Sequence, residues 1–127
     1  MKSLLLFTLA VITTQAAPPP SFFAALHQVE TGGALGATLG DNGKALGPLQ
    51  IHRAYHADSR VGGDYARCAD LEYSKKVVNA YLKRYAPAAW ESGDVATLAR
   101  IHNGGPKGHL KPATLKYSQK VLRVIKK

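Results

Sequence analysis

This 127-residue chain has a single cysteine and few acidic side chains. Cys68 stands alone, so no intramolecular disulfide can form and the fold must be held by packing. The thiol reads as a small buried hydrophobe, with an intermolecular bridge or a reactive sulfur as the alternatives. Aspartate and glutamate number eight against seventeen lysines and arginines, a net charge of +9. Such a surface suits an anionic polymer such as a bacterial cell wall, an acidic membrane surface or nucleic acid. Nucleic acid is the least suited, because the chain has no aromatic stacking pattern, zinc-ligand spacing or recognition-helix motif. Long hydrophobic runs are missing after residue 12, and Leu4 to Ile12 is too short to span a bilayer, so no stable membrane insertion is expected. Repeats and long linkers are absent too, which leaves one domain, expected to act as a monomer.

What is present begins with a leader. Lys2 supplies a positive start, Leu4 to Ile12 an apolar core and Thr14-Gln15-Ala16 a small-residue cleavage signal. Residues 1–16 therefore read as a secretory signal peptide, and 17–127 as the exported domain, extracellular or periplasmic, with a charge of +8 once Lys2 is gone.

Hydrophobic spacing then predicts a mainly helical α+β domain with about five helices. After Pro18-Pro19-Pro20, Ser21 is expected to cap a helix carrying Phe22, Leu26 and Val29 on one face, ended by Gly32-Gly33. Residues 34 to 46, with the turn signal Asp41-Asn42-Gly43, read as a loop or short hairpin. Gly47-Pro48 is expected to open a second helix with Ile51 and Tyr55 inward. The clearest helix runs from about Asp70 to Ala86, with Asp70 as cap and Val77, Val78, Tyr81, Leu82 and Tyr85 as its apolar stripe; Pro87 stops it. Asp94 caps the next, through Val95, Leu98 and Ile101, and Gly104-Gly105-Pro106 ends it. Pro112 starts the last, with Leu115, Val121, Leu122 and Ile125 inward.

Chemistry concentrates on the scarce acids. Glu30 and Asp41 are the only carboxylate side chains in the first 57 residues, in or beside the stretch Glu-Thr-Gly-Gly-Ala-Leu-Gly-Ala-Thr-Leu-Gly-Asp-Asn-Gly. Glu30 falls in the last turn of its helix, where the dipole disfavours an anion, an odd place unless function requires it. Two carboxylates at different depths of one cleft can divide the acid and nucleophile roles, a division that sugar hydrolysis needs. His102 and Asn103 sit where a helix gives way to a glycine turn. They read either as side chains projecting into a cleft or as an ordinary capped helix end. His52 and His56 are spaced four apart, but no Cys or carboxylate offers a third ligand, so no metal and no cofactor is expected.

Val-Glu-Thr-Gly at 29 to 32, Asp41, Gly-Pro-Leu-Gln-Ile at 47 to 51, Tyr-Leu-Lys-Arg-Tyr at 81 to 85 and Ala-Arg-Ile-His-Asn-Gly-Gly-Pro at 99 to 106 occur in this order. The set resembles the invertebrate-type lysozymes, the family that includes destabilase, over nearly the whole exported domain. The resemblance implies a lysozyme-like fold with a small glycine-rich β-region beside the cleft. It also implies hydrolysis of the β-1,4 bond between N-acetylmuramic acid and N-acetylglucosamine in peptidoglycan, with Glu30 as general acid and base and Asp41 as nucleophile or stabiliser. Gln50, His52, His102, Asn103 and Gly104 are the implied substrate-binding residues. Retention of configuration is expected, with the two carboxyl groups about 5 to 5.5 Å apart for direct attack, or farther apart if water intervenes.

The departures are informative. Animal members are rich in disulfides, yet Leu46 and His109 stand where cysteines usually do, and Cys68 looks like a family cysteine without its partner. Isopeptidase activity, credited to some members, is attributed to a serine soon after the second carboxylate. Here Asn42, Gly43, Lys44, Ala45 and Leu46 follow Asp41, and none is serine. Two other readings compete. A non-catalytic cationic antimicrobial or glycan-binding protein would act through charges such as Lys75, Lys76, Lys83, Arg84, Lys116, Lys120 and Arg123, which also read simply as a solvated face. A chitinase-like preference would need only one changed sugar substituent.

Overall fold

The first helix begins where proline permits. α1 (Pro20–Thr31) has Pro20 in its first turn, where the missing N–H would have had no partner in any case. Ser21, expected as the cap, lies inside that turn, and no side chain caps this end. The computed structural model describes residues 3–6, 8 and 17–127, so the expected leader falls largely outside the described residues. Phe22 and Leu26 are fully buried and Val29 partly so. Each of those two side chains contributes about 2 kcal/mol of transfer free energy, which pins α1 to the core. Gly32 ends the helix at φ 65°, a left-handed conformation that glycine adopts without strain, and its N–H returns to the Gln28 carbonyl.

The glycine-rich stretch forms a three-stranded antiparallel sheet of very short strands, β1 (Leu39–Gly40), β2 (Ala45–Leu46) and β3 (Ile51–His52), in that order. Leu39 pairs with Leu46, and Ala45 with His52. The helix expected to open at Gly47-Pro48 is not there. Gly47 and Gln50 both take positive φ, 83° and 54°, and enclose a tight turn closed by the Gln50 N–H on the Gly47 carbonyl at 3.1 Å. Gly47 also lies so near the Cys68 carbonyl that a Cβ would collide with it. Ile51 is consequently a strand residue, and α2 (Arg53–Ser59) starts after it.

α3 (Leu71–Tyr85) matches its expected span, with the Asp70 carboxylate accepting from the Tyr73 N–H at 2.8 Å. Val77, Val78 and Leu82 are fully buried and form the centre of the core. Pro87 stops α3 and also starts α4 (Pro87–Ser92), a sixth helix that the sequence pattern did not suggest. Asp94 caps α5 (Val95–Gly104) by accepting from the Thr97 N–H at 3.2 Å. A 3-10 turn at Pro112–Thr114 leads into α6 (Leu115–Ile125). Leu115, expected inward, is 47% exposed, because Thr114 fills the interior there and donates its hydroxyl to the Gly108 carbonyl at 2.6 Å. α6 packs against both α1 and α5, and α3 against α2 and α5. The helices thus build one wall of a cleft, and the small sheet builds the other.

Candidate active site

The cleft, about 490 Å³, is lined by Glu30, Asp41, Gln50, His52, His102 and Asn103, together with Ala45, Tyr55, Tyr81 and Gly105. Both acids singled out in the sequence therefore face one space.

Glu30 comes from the last turn of α1, and its side chain is only 16% exposed. Tyr117 of α6 donates its hydroxyl to Glu30 Oε1 at 2.6 Å. Burial, followed by the negative charge and hydrogen bond of Glu30, pushes the Tyr117 phenol well above its ordinary range, so it remains a donor at any ordinary pH. His102 Nε2 stands 3.6 Å from the same oxygen, too far for a hydrogen bond but near enough to bias charge. On its other side, His102 Nδ1 lies 2.8 Å from the Tyr55 hydroxyl. That phenol is also pushed up, mainly by burial, and its ring stacks on Tyr81 at 3.7 Å. If Tyr55 donates to Nδ1, the imidazole carries its hydrogen on Nε2 and turns it toward Glu30. The opposite tautomer would aim a lone pair at the carboxylate oxygen, which electrostatics disfavours. Both groups from the helical wall meet Oε1, and Oε2 has no hydrogen-bond partner among the described residues.

Asp41 is held quite differently. It sits in the β1–β2 turn with φ 49°, and Asn42 follows at φ 56°, conformations that Asp and Asn tolerate better than most residues. Its side chain is 59% exposed, and its partner is His52 Nε2 at 3.2 Å, itself 47% exposed. Gln50 braces this wall: its amide nitrogen donates to the Thr38 carbonyl at 3.1 Å and the Gly47 carbonyl at 2.9 Å. Asn103, by contrast, is exposed and its amide makes no hydrogen bond among the described residues. Gly104 does not line the cleft, although neighbouring Gly105 does. It is the last residue of α5 and faces Thr114, whose methyl occupies the place of a Cβ. His56, the other member of the histidine pair, bonds the Tyr73 hydroxyl at 2.8 Å. No group of three metal-ligating side chains occurs among the described residues.

The sequence pattern does not single out Tyr117, and it places Tyr55 inward without its role beside His102. Tyr117 is 87 positions from Glu30, beyond any local pattern. One signal was available: a tyrosine one turn before Val121 on the inner stripe of α6, where a phenol needs a partner.

A helical domain with a small antiparallel sheet across a cleft, and one acid on each wall, defines a lysozyme-like protein. No protein-family profile matches the chain. It is 37% identical over 85 residues to a lysozyme of Ostrea edulis, covering 65% of this chain and 62% of that one. It is 35% identical over 94 residues to an invertebrate-type lysozyme of Ruditapes philippinarum, covering 71% and 69%. The crystal structure of Tapes japonica lysozyme superposes with a TM-score of 0.70 at 32% identity, covering 84% of this chain and 92% of that one. The chain belongs to the invertebrate-type lysozyme family. It spans less than two thirds of the length of three of its relatives, 62%, 38% and 58%.

Proposed function

We propose that the protein is a secreted, monomeric lysozyme that hydrolyses the β-1,4 bond between N-acetylmuramic acid and N-acetylglucosamine in peptidoglycan. The observation that carries this is the pair Glu30 and Asp41 on opposite walls of one cleft in a chain of this family. Glu30 is the general acid. With Oε1 occupied by Tyr117, its proton sits on Oε2 and passes to the glycosidic oxygen as the bond to the anomeric carbon breaks. Asp41, ionised, attacks or stabilises the positive sugar. Glu30, now a carboxylate, takes a proton from water, whose oxygen adds to the anomeric carbon and frees Asp41. Asn103 has a free amide for the sugar acetamido and hydroxyl groups, and His52 holds Asp41. The cycle uses two carboxylates and one water. The lack of a serine among residues 42 to 46, after Asp41, supports the absence of isopeptidase activity by a serine-based route.

The test is turnover of purified peptidoglycan by the wild type and by Glu30→Gln, with the first anomer read by NMR. Loss of turnover in the variant and retention in the wild type are expected. Equal clearing by both would transfer the role to the cationic-binding reading, and an inverted first product would remove Asp41 as nucleophile. The basic residues of α6, Lys116, Lys120 and Arg123, with Lys126 and Lys127 just after it, favour encounter with anionic wall polymer.

A further inference from the structure

A second cavity adjoins the cleft. It is about 510 Å³, as large as the cleft itself, and shares His52 with it as a common wall. Between them lies the sheet. Successive strand residues face opposite ways, so Ala45 lines the cleft while Leu46, next in β2, lines the second cavity together with Leu39 of β1. The second cavity has an apolar floor of Leu39, Leu46 and the Tyr65 ring, with two cations at its rim, Lys44 and Arg53. Arg53 is held over the Tyr65 ring at 4.5 Å, and Tyr65 is fixed in turn by donating to the Ile51 carbonyl at 2.5 Å. Neither Lys44 nor Arg53 has a carboxylate partner among the described residues. Asp64, the one acid at this rim, already accepts from the Ala66 N–H.

We infer that this cavity is a subsite for the acidic stem peptide of peptidoglycan, with Lys44 and Arg53 binding its carboxylates. The inference rests on the reading of the chain as a peptidoglycan hydrolase and adds what part of the polymer it recognises. A linear glycan in the cleft has nothing to send around the edge of the sheet. Peptidoglycan does, because the lactyl group of each muramic acid carries a peptide. A sheet and its side chains are crossed in roughly 10 Å, and three extended residues span about that distance. The exposed Leu39, 65% accessible, offers apolar contact to the peptide's methyl groups.

The test compares intact peptidoglycan with the same glycan strands stripped of peptide by an amidase. The variant is Lys44→Gln with Arg53→Gln, which keeps much of each stem and removes both charges. Two solvent-facing charge pairs predict about a tenfold loss of kcat/KM on intact peptidoglycan, with stripped glycan turned over within about twofold of wild type. Unchanged turnover of stripped glycan also shows that the variant folds. Equal loss on both substrates, or no loss on either, overturns the subsite. If wild type turns over neither polymer, the hydrolase reading fails separately, and binding of a muramyl tripeptide followed by amide NMR decides. Shifts at Lys44 and Arg53 that peptide-free muramic acid does not cause would uphold the subsite; their absence would overturn it.

Discussion

The two walls of the cleft are built on different principles. Glu30, 16% exposed, stands on a long helix and is gripped by a phenol from the opposite end of the chain. Asp41, 59% exposed, stands on a turn between two-residue strands and leans on a half-exposed histidine. One carboxylate belongs to the global core and the other to a local excursion. That difference suits the proposed division of labour. An acid must keep its proton aimed at one bond, which demands a fixed oxygen, while a carboxylate that meets a developing positive charge works from a solvated, hydrogen-bonded position.

The largest effect that would sharpen this contrast is at the helical wall. Glu30→Gln should lower turnover of peptidoglycan by about a thousandfold or more, because it removes the proposed general acid while keeping the side chain's size. Asp41→Asn should cost about a hundredfold. Asparagine is the right replacement there because it accepts the left-handed backbone, so the change removes charge without straining the turn. If Asp41→Asn proved as damaging as Glu30→Gln and also shifted the thermal midpoint by many degrees, the exposed wall would be structural as well, and the contrast would fail.

Tyr117→Phe comes next, and it tests the grip itself. The ring stays and only the hydroxyl goes, so α6 should keep its packing while Glu30 Oε1 loses its donor. A fall of about tenfold in kcat with KM nearly unchanged is expected, since the hydroxyl bonds Glu30 and Tyr117 does not line the cleft. A rise in KM with kcat intact would place Tyr117 in substrate binding.

This helical wall also marks how far sequence carries. The caps Asp70 and Asp94, the stripe of α3 and the placement of Glu30 were legible because they depend on neighbours three and four positions away. The Gly47 turn was misread because its geometry depends on the Cys68 carbonyl, twenty-one positions on, which leaves no room for a side chain. The resemblance implies a ligand contact at Gly104, yet its smallness makes room for Thr114. In each case the deciding partner was distant in sequence, and the local residue types suited more than one outcome.

The smallest expected effect concerns what supports the sheet wall. Cys68 lies beneath the Gly47 turn, fully buried, with its carbonyl accepting from the Ser74 hydroxyl at 2.7 Å. Burial pushes its thiol from the ordinary 9.0 up to about 11. Between those values the unfolded chain gives up a proton that the folded chain retains, so stability falls as pH rises through this window and is unaffected below it. The loss amounts to roughly 2 to 3 kcal/mol by the top of the window. The buried phenols on the Glu30 wall, Tyr55 and Tyr117, act in the same direction but begin one pH unit later, from the ordinary tyrosine value of 10.0. Cys68→Ala should therefore delay the onset of alkaline destabilisation from about pH 9 to about pH 10 in urea melts, whatever its effect on stability at neutral pH. A variant with the same onset as wild type would mean that the thiol is reached by water and that the sheet wall is looser than its packing indicates. Reductant should leave the melting of the monomer unchanged at neutral pH, because the lone cysteine has nothing within the chain to pair with.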